Sequence, residues 1–130
     1  MSIVTDIQNT LNLRLSTLPN IPPVSWPNVE FEPVDGTLYL RASILPASTT
    51  LETVEGTEGF RGVYQVDVFA PLGTGIQTIN AMADSVCDHF AADRDLSGVR
   101  IRAISATAPI RNGAWFVLPI SISYSTYHTR

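Results

Sequence analysis

The chain has 130 residues, 45% of them hydrophobic, with 12 acidic residues against 8 basic ones and a formal net charge of -4. That length suits one domain, 1–130, with a core large enough to need no disulfide or metal. Every basic residue is Arg, which excludes a Walker-type phosphate loop and a Schiff-base lysine, the acidic balance argues against a duplex-DNA binder, and the lone Cys87 excludes an intrachain disulfide.

The first residues lack the basic start and continuous apolar run of a secretion signal, and no window approaches the ~20 apolar residues of a membrane span. The chain is therefore expected to be made and kept in a cytoplasm. Val4, Ile7, Leu11, Leu15 and Leu18 recur at three- and four-residue spacing, which predicts a helix with Ser2 as its N-cap and Pro19 as its stop. Pro19, Pro22, Pro23 and Pro27 then make an extended connector. Val29 and Phe31 alternate with Glu30 and Glu32, which reads as a strand. Asp35-Gly36 reads as the hairpin turn into a second strand. There Leu38, Leu40, Ala42 and Ile44 share one face, and Tyr39, Arg41 and Ser43 the other.

Residues 46–59, PASTTLETVEGTEG, carry Glu52, Glu55 and Glu58 with no basic residue and read as a long loop. Such a loop could hold a cation or a basic partner, or simply stay solvated until docking orders it. A third strand is predicted over 61–70, with Tyr64, Val66 and Val68 on one face and Gln65, Asp67 and Phe69 on the other. Thr74 with Gln77 predicts a capping box opening a second helix, along which Ile76, Ile79, Ala83, Val86 and Phe90 form a stripe. Asp95 to Gly98 reads as a turn. Two last strands, about 99–108 and 114–126, meet at Asn112-Gly113. Phe116, Leu118, Ile120, Ile122 and Tyr124 share a face of the last one, and Pro119 predicts that it is an edge or bulged strand. The order is α-β-β-β-α-β-β: an α+β domain, its sheet largely antiparallel or mixed, with two helices packed on one face.

The face away from the helices would present Tyr39, Arg41, Leu45, Val63, Asp67, Phe69, Arg100, Arg102, Trp115 and Val117, an unusually apolar and Arg-rich set for open water. Either the sheet curls so that part of this face is also core, or the face meets a subunit or partner. On the second reading the interface candidates are Tyr39, Arg41, Asp67, Phe69, Arg100, Arg102 and Trp115. Glu52, Glu55 and Glu58 are then candidates for a docking loop. Trp115→Ala or Arg41→Glu is expected to spare folding and impair assembly.

Signals of catalysis are weak. Gly73-Thr74-Gly75 between a strand and a helix resembles half of a dinucleotide turn, but Thr78 stands where a third glycine is needed. Cys87 and His89 are two apart on a helix and point away from each other, so Cys87 reads as a small core residue and Asp88-His89 as a solvated face. Glu30 and Glu32 read as a solvated strand edge. No cofactor, metal or catalytic residue is expected.

The stretches NVEFEPVDGTLYLRASILPA (28–47) and GVYQVDVFAPLGTG (62–75), the latter followed by a helix with Ala83-Asp84 and Phe90, resemble the tail terminator proteins of long, flexible-tailed phages. This is the family of the lambda-type minor tail protein U. The similarity runs over nearly the whole chain, and its motifs are structural. It implies a subunit that assembles with its own copies, as a hexameric ring, on the finished tail tube. Such a ring halts polymerisation of the major tail tube protein and offers a surface to the head-tail connector protein. The implied location is the virion tail, after synthesis in the bacterial host cytoplasm, with no specific nucleic-acid binding and no membrane. Other neck components, head-closure or joining proteins, are the nearest alternative, and a small nucleotide-binding accessory enzyme a more distant one.

Overall fold

The two helices form where apolar spacing requires them. The structure, a computed structural model, describes residues 3–27, 29–33, 36–51, 57–73, 75–92, 94–96 and 98–129. Helix α1 (Ile3–Ser16) buries Ile7, Leu11 and Leu15, and Leu18 adds to the same core just past its end. Helix α2 (Ile76–Ala91) buries Ile79, Ala83, Val86 and Phe90. Its first predicted stripe residue, Ile76, is instead 58% exposed, at the position where the helix begins. The predicted capping box also fails. The N-cap is Gly75, which offers no side-chain bond, and Thr74 lies outside the described residues.

Among the described residues seven strands form one sheet: β1 (Val24–Ser25), β2 (Tyr39–Leu51), β3 (Thr57–Pro71), β4 (Asp95–Leu96), β5 (Val99–Ala106), β6 (Ile110–Asn112) and β7 (Trp115–Thr129). Their order is β1-β2-β3-β7-β5-β4, with β6 pairing β7 beyond the end of β5. Among the described residues only β1 and β2 pair in parallel; every other pair is antiparallel. Both helices pack on the face lined by Leu40, Tyr64, Val66, Val68, Leu118, Ile120 and Ile122, all buried. The α+β architecture read from the sequence is therefore the one observed.

Polar contacts fix the helix layer. The Tyr64 hydroxyl donates to Asn12 Oδ1 on α1 at 2.6 Å. Arg14 donates through Nη2 to the carbonyl of His89, and His89 Nε2 lies 2.9 Å from the Arg14 carbonyl oxygen. Thr17 Oγ1 also lies 2.8 Å from Nε2, so this ring nitrogen meets both a hydroxyl and a carbonyl at the end of α1. His89 is thus a half-buried clamp between the helices, and not the solvated residue expected from its acidic neighbour. Its position opposite the end of α1 decides this, which spacing along α2 alone does not reveal.

The strand boundaries depart from the sequence reading in three places. Residues 29–33 form no strand, although Val29 to Glu32 alternate as one would. Pro27 and Pro33 flank the segment and remove backbone donors. Phe31 instead swings over the sheet, 5.0 Å from the ring of Tyr39. The parallel partner of β2 is the short β1 in the proline-rich connector, through Val24↔Leu40 and Ser25↔Arg41. Asp35 of the predicted hairpin turn lies outside the described residues.

The long acidic loop is shorter than expected, because β2 and β3 run on as a hairpin to the pair Leu51↔Glu58. β2 continues past Pro46 through a register shift between Pro46 and Thr49. Glu58 is therefore a strand residue, while Glu52 and Glu55 lie outside the described residues. Finally, Pro119 sits in the middle of the sheet, since β7 has β3 on one side and β5 with β6 on the other. It is tolerated because β5 ends at Ala106↔Ile120 and β6 starts at Ile110↔Val117. The missing N–H faces that break in the neighbouring strands, where the Thr107 N–H donates to the Pro119 carbonyl.

Candidate assembly interface

Two arrangements share the sheet face opposite the helices. The first is an aromatic cluster at the β2–β3–β7 end. Cross-strand pairing sets Tyr39 opposite Phe69, and their rings stack at 4.6 Å with an interplanar angle of 5°. Trp115 meets Tyr39 edge-on at 5.2 Å. Together with Phe31, it covers the buried Tyr39, Phe69 and Val117, a second small core on the outer face. The sheet therefore does carry core on both sides at this end. Burial raises the Tyr39 phenol pKa above its usual value, with the positive charge of Arg41 opposing.

Two residues back along β3 from Phe69, on the same face, Asp67 is 2% exposed and fully engaged. Its Oδ2 accepts from Arg41 Nη2 at 2.9 Å and Nε at 3.3 Å, and its Oδ1 accepts from Gln65 Nε2 at 2.8 Å. Arg41 is directly opposite in the register, and its guanidinium lies 4.9 Å from the Phe69 ring centroid. Burying a carboxylate is costly unless it is paired and hydrogen-bonded, and here it is both.

The second arrangement is a groove of about 470 Å³ lined by Arg61, Val63, Arg102, Ser123 and Ser125, with Gly62 and Tyr124 beneath. Its geometry follows from the register: Arg61 and Arg100 both stand opposite Ser125, one from β3 and one from β5. Arg102 is the extra residue of a bulge between Ile101 and Ala103, which keeps it on the open face, and its Nε donates to Ser125 Oγ at 2.7 Å. Arg41 pairs with Asp67, whereas no ion pair of Arg61 or Arg102 is formed with another described residue. Asp95 stands opposite Arg100 in the register, which moves the centre of positive charge toward Arg61 and Arg102.

Of the interface candidates read from the sequence, Arg41, Arg100 and Arg102 are exposed and Trp115 is half-buried. Tyr39, Asp67 and Phe69 are covered by this chain's own residues. Sequence reasoning missed Arg61, Ser123 and Ser125. Their signal was present: Arg61 is two residues from Val63, and the serines alternate with Ile122 and Tyr124.

The described residues contain no group of three His, Cys, Asp or Glu placed to hold a metal ion. Cys87 has its thiol pKa raised by burial first and by Asp84 and Asp88 after that, the opposite of an activated nucleophile. Gly73 and Gly75 have φ of 90° and 76°, so each glycine serves the left-handed turn into α2. No described helix is long and apolar enough to cross a membrane.

A sequence model of phage tail terminator proteins matches residues 6–124. The chain belongs to this family. The match covers both helices from Asp6 onward and the sheet as far as Tyr124, so it includes the aromatic cluster and all of the groove lining but Ser125. Tail terminators are structural components of the virion tail, a role that calls for surfaces more than for a reaction centre. A solved structure is 29% identical to this tail terminator, with a TM-score of 0.68 over 96% of each chain. No match is found among proteins of curated description.

Proposed function

We propose that this tail terminator assembles as a ring, with hexameric closure, on the end of the tail tube. The ring stops addition of the major tail tube protein and gives the head-tail connector protein a surface to join. The observation that carries the reading is the family match over residues 6–124. The geometry supports it: the outer sheet face exposes Arg41, Arg100 and Arg102 and carries half-buried Trp115 at its aromatic end, which suits protein contact, where Arg and Trp are enriched. In this reading Tyr39, Asp67 and Phe69 act from below, holding the exposed groups in place. Glu52, Glu55 and Glu58 make the β2–β3 turn an acidic docking element. A net charge of -4 also suits a conduit through which DNA passes without being gripped.

Electron microscopy of particles from phage lacking the gene tests the proposal. Overlong, headless tails are expected, because loss of the length stop lets the tube keep growing. Normal-length tails beside filled heads would move the protein to the joining step, and intact virions would end the structural reading.

A further inference from the structure

Resting on the ring reading, we infer that the Arg61/Arg102 groove is the socket for the acidic β2–β3 turn of the neighbouring copy. Each subunit would thus offer its 52–58 turn to the next and receive one in turn. The groove is concave, holds two arginines without a carboxylate partner among the described residues, and has Ser123 and Ser125 on its floor. Arg102 is already held by Ser125 Oγ, so one guanidinium is oriented before anything binds. Guanidinium forks match carboxylates in geometry, and a preset fork loses less freedom on binding.

Charge selects the occupant. Residues 52–58 carry three of the chain's 12 acidic residues and no basic one, so two copies provide complementary partners without any third component. A duplex nucleic acid fits less well: the chain is net acidic, and two arginines supply a small share of the phosphate contacts such binding uses. The 52–58 segment and the groove are different parts of one chain, so a contact between them from copy to copy is head-to-tail. Contacts of that type close into rings when the rotation allows.

Two charge-reversed variants give the test, each first checked for native circular dichroism. One carries Arg61→Glu with Arg102→Glu; the other carries Glu52→Arg, Glu55→Arg and Glu58→Arg. Ring formation is read by negative-stain microscopy and size-exclusion chromatography on purified tail tubes. Each variant alone should need at least about tenfold more protein to half-assemble, equivalent to roughly 1.4 kcal/mol per contact. Mixed in equal amounts, they should recover rings, because every turn then meets a groove of opposite sign in alternating subunits. Rings from the Arg61→Glu/Arg102→Glu variant alone at wild-type concentration would overturn the socket and leave the ring reading standing. Failure of the mixture, with rescue when all five substitutions share one chain, would place the turn in its own groove and also overturn it. Binding of a 30-base-pair duplex by the wild type, lost on Arg61→Glu/Arg102→Glu, would reassign the groove to phosphates. Wild-type protein that never forms rings on tubes would end both readings.

Discussion

At the scale of single residues, the outer face holds together through Asp67. Its carboxylate is almost wholly removed from water, so Arg41 and Gln65 supply its hydrogen bonds. Arg41→Glu is consequently not the clean assembly probe that strand alternation alone suggests. It would set a second carboxylate against the first and is expected to cost about 1–3 kcal/mol of folding stability by urea denaturation. A midpoint equal to wild type would show that Asp67 needs no partner. Trp115→Ala likewise uncovers Tyr39 and Phe69, and so mixes a packing loss with any loss of assembly. Gly62 is constrained from the other side of the sheet. A Cβ there would come within 2.5 Å of the Tyr124 hydroxyl oxygen and 2.8 Å of the Leu45 carbonyl oxygen. Gly62→Ala should therefore destabilise by about 1–3 kcal/mol in the same measurement, since the backbone carbonyl cannot yield as a side-chain tip can.

At the scale of elements, burial of tyrosines couples the helix–sheet layer to pH. Burial raises the pKa of Tyr64, Tyr39 and Tyr124 above the ordinary value of 10.0. The folded chain thus holds these protons more tightly than the unfolded chain. That contribution is fully present below the unfolded pKa of about 10 and is lost as pH rises through the higher folded values. Urea midpoints measured from pH 8 to about 11 should fall at the alkaline end. Tyr64→Phe should flatten that fall while costing about 1 kcal/mol near neutrality, because Asn12 loses its donor. An unchanged alkaline slope would mean that Tyr64 is hydrated.

The same scale shows what was readable in the chain. Both helices and the faces of β3 and β7 follow from periodicity, because Leu11, Val66 and Ile120 each recur in phase with buried neighbours over several turns or pleats. The short strands β1, β4 and β6 have two or three residues, too few to display a period. Val29 to Glu32 shows a period without a strand, since alternation records which side chains could be buried and says nothing about whether a partner strand is within reach. The groove was half legible. Arg102 was on the list of outward residues, but its company with Arg61 and Ser125 depends on cross-strand register, which no local pattern encodes.

At the scale of the whole molecule, a contact built on arginines and carboxylates at a surface must respond to ionic strength. Raising salt from about 0.15 to 1 M shortens the screening length from roughly 8 to 3 Å. Ring formation on tail tubes should weaken over that range while thermal unfolding of the isolated subunit changes little. Rings that tighten with salt would point to an apolar contact through the aromatic cluster instead.

The longest ladder in the sheet joins β3 to β7, from Pro71↔Trp115 to Thr57↔Thr129. Its shortest link spans 44 residues and its longest 72, as the numbering of those pairs gives. Contacts so distant along the chain form late, and proteins dominated by them fold over milliseconds to seconds. During synthesis the middle of the sheet therefore stays open until the final fifteen residues of β7 have left the ribosome. Until then β3 presents a bare edge open to other strands.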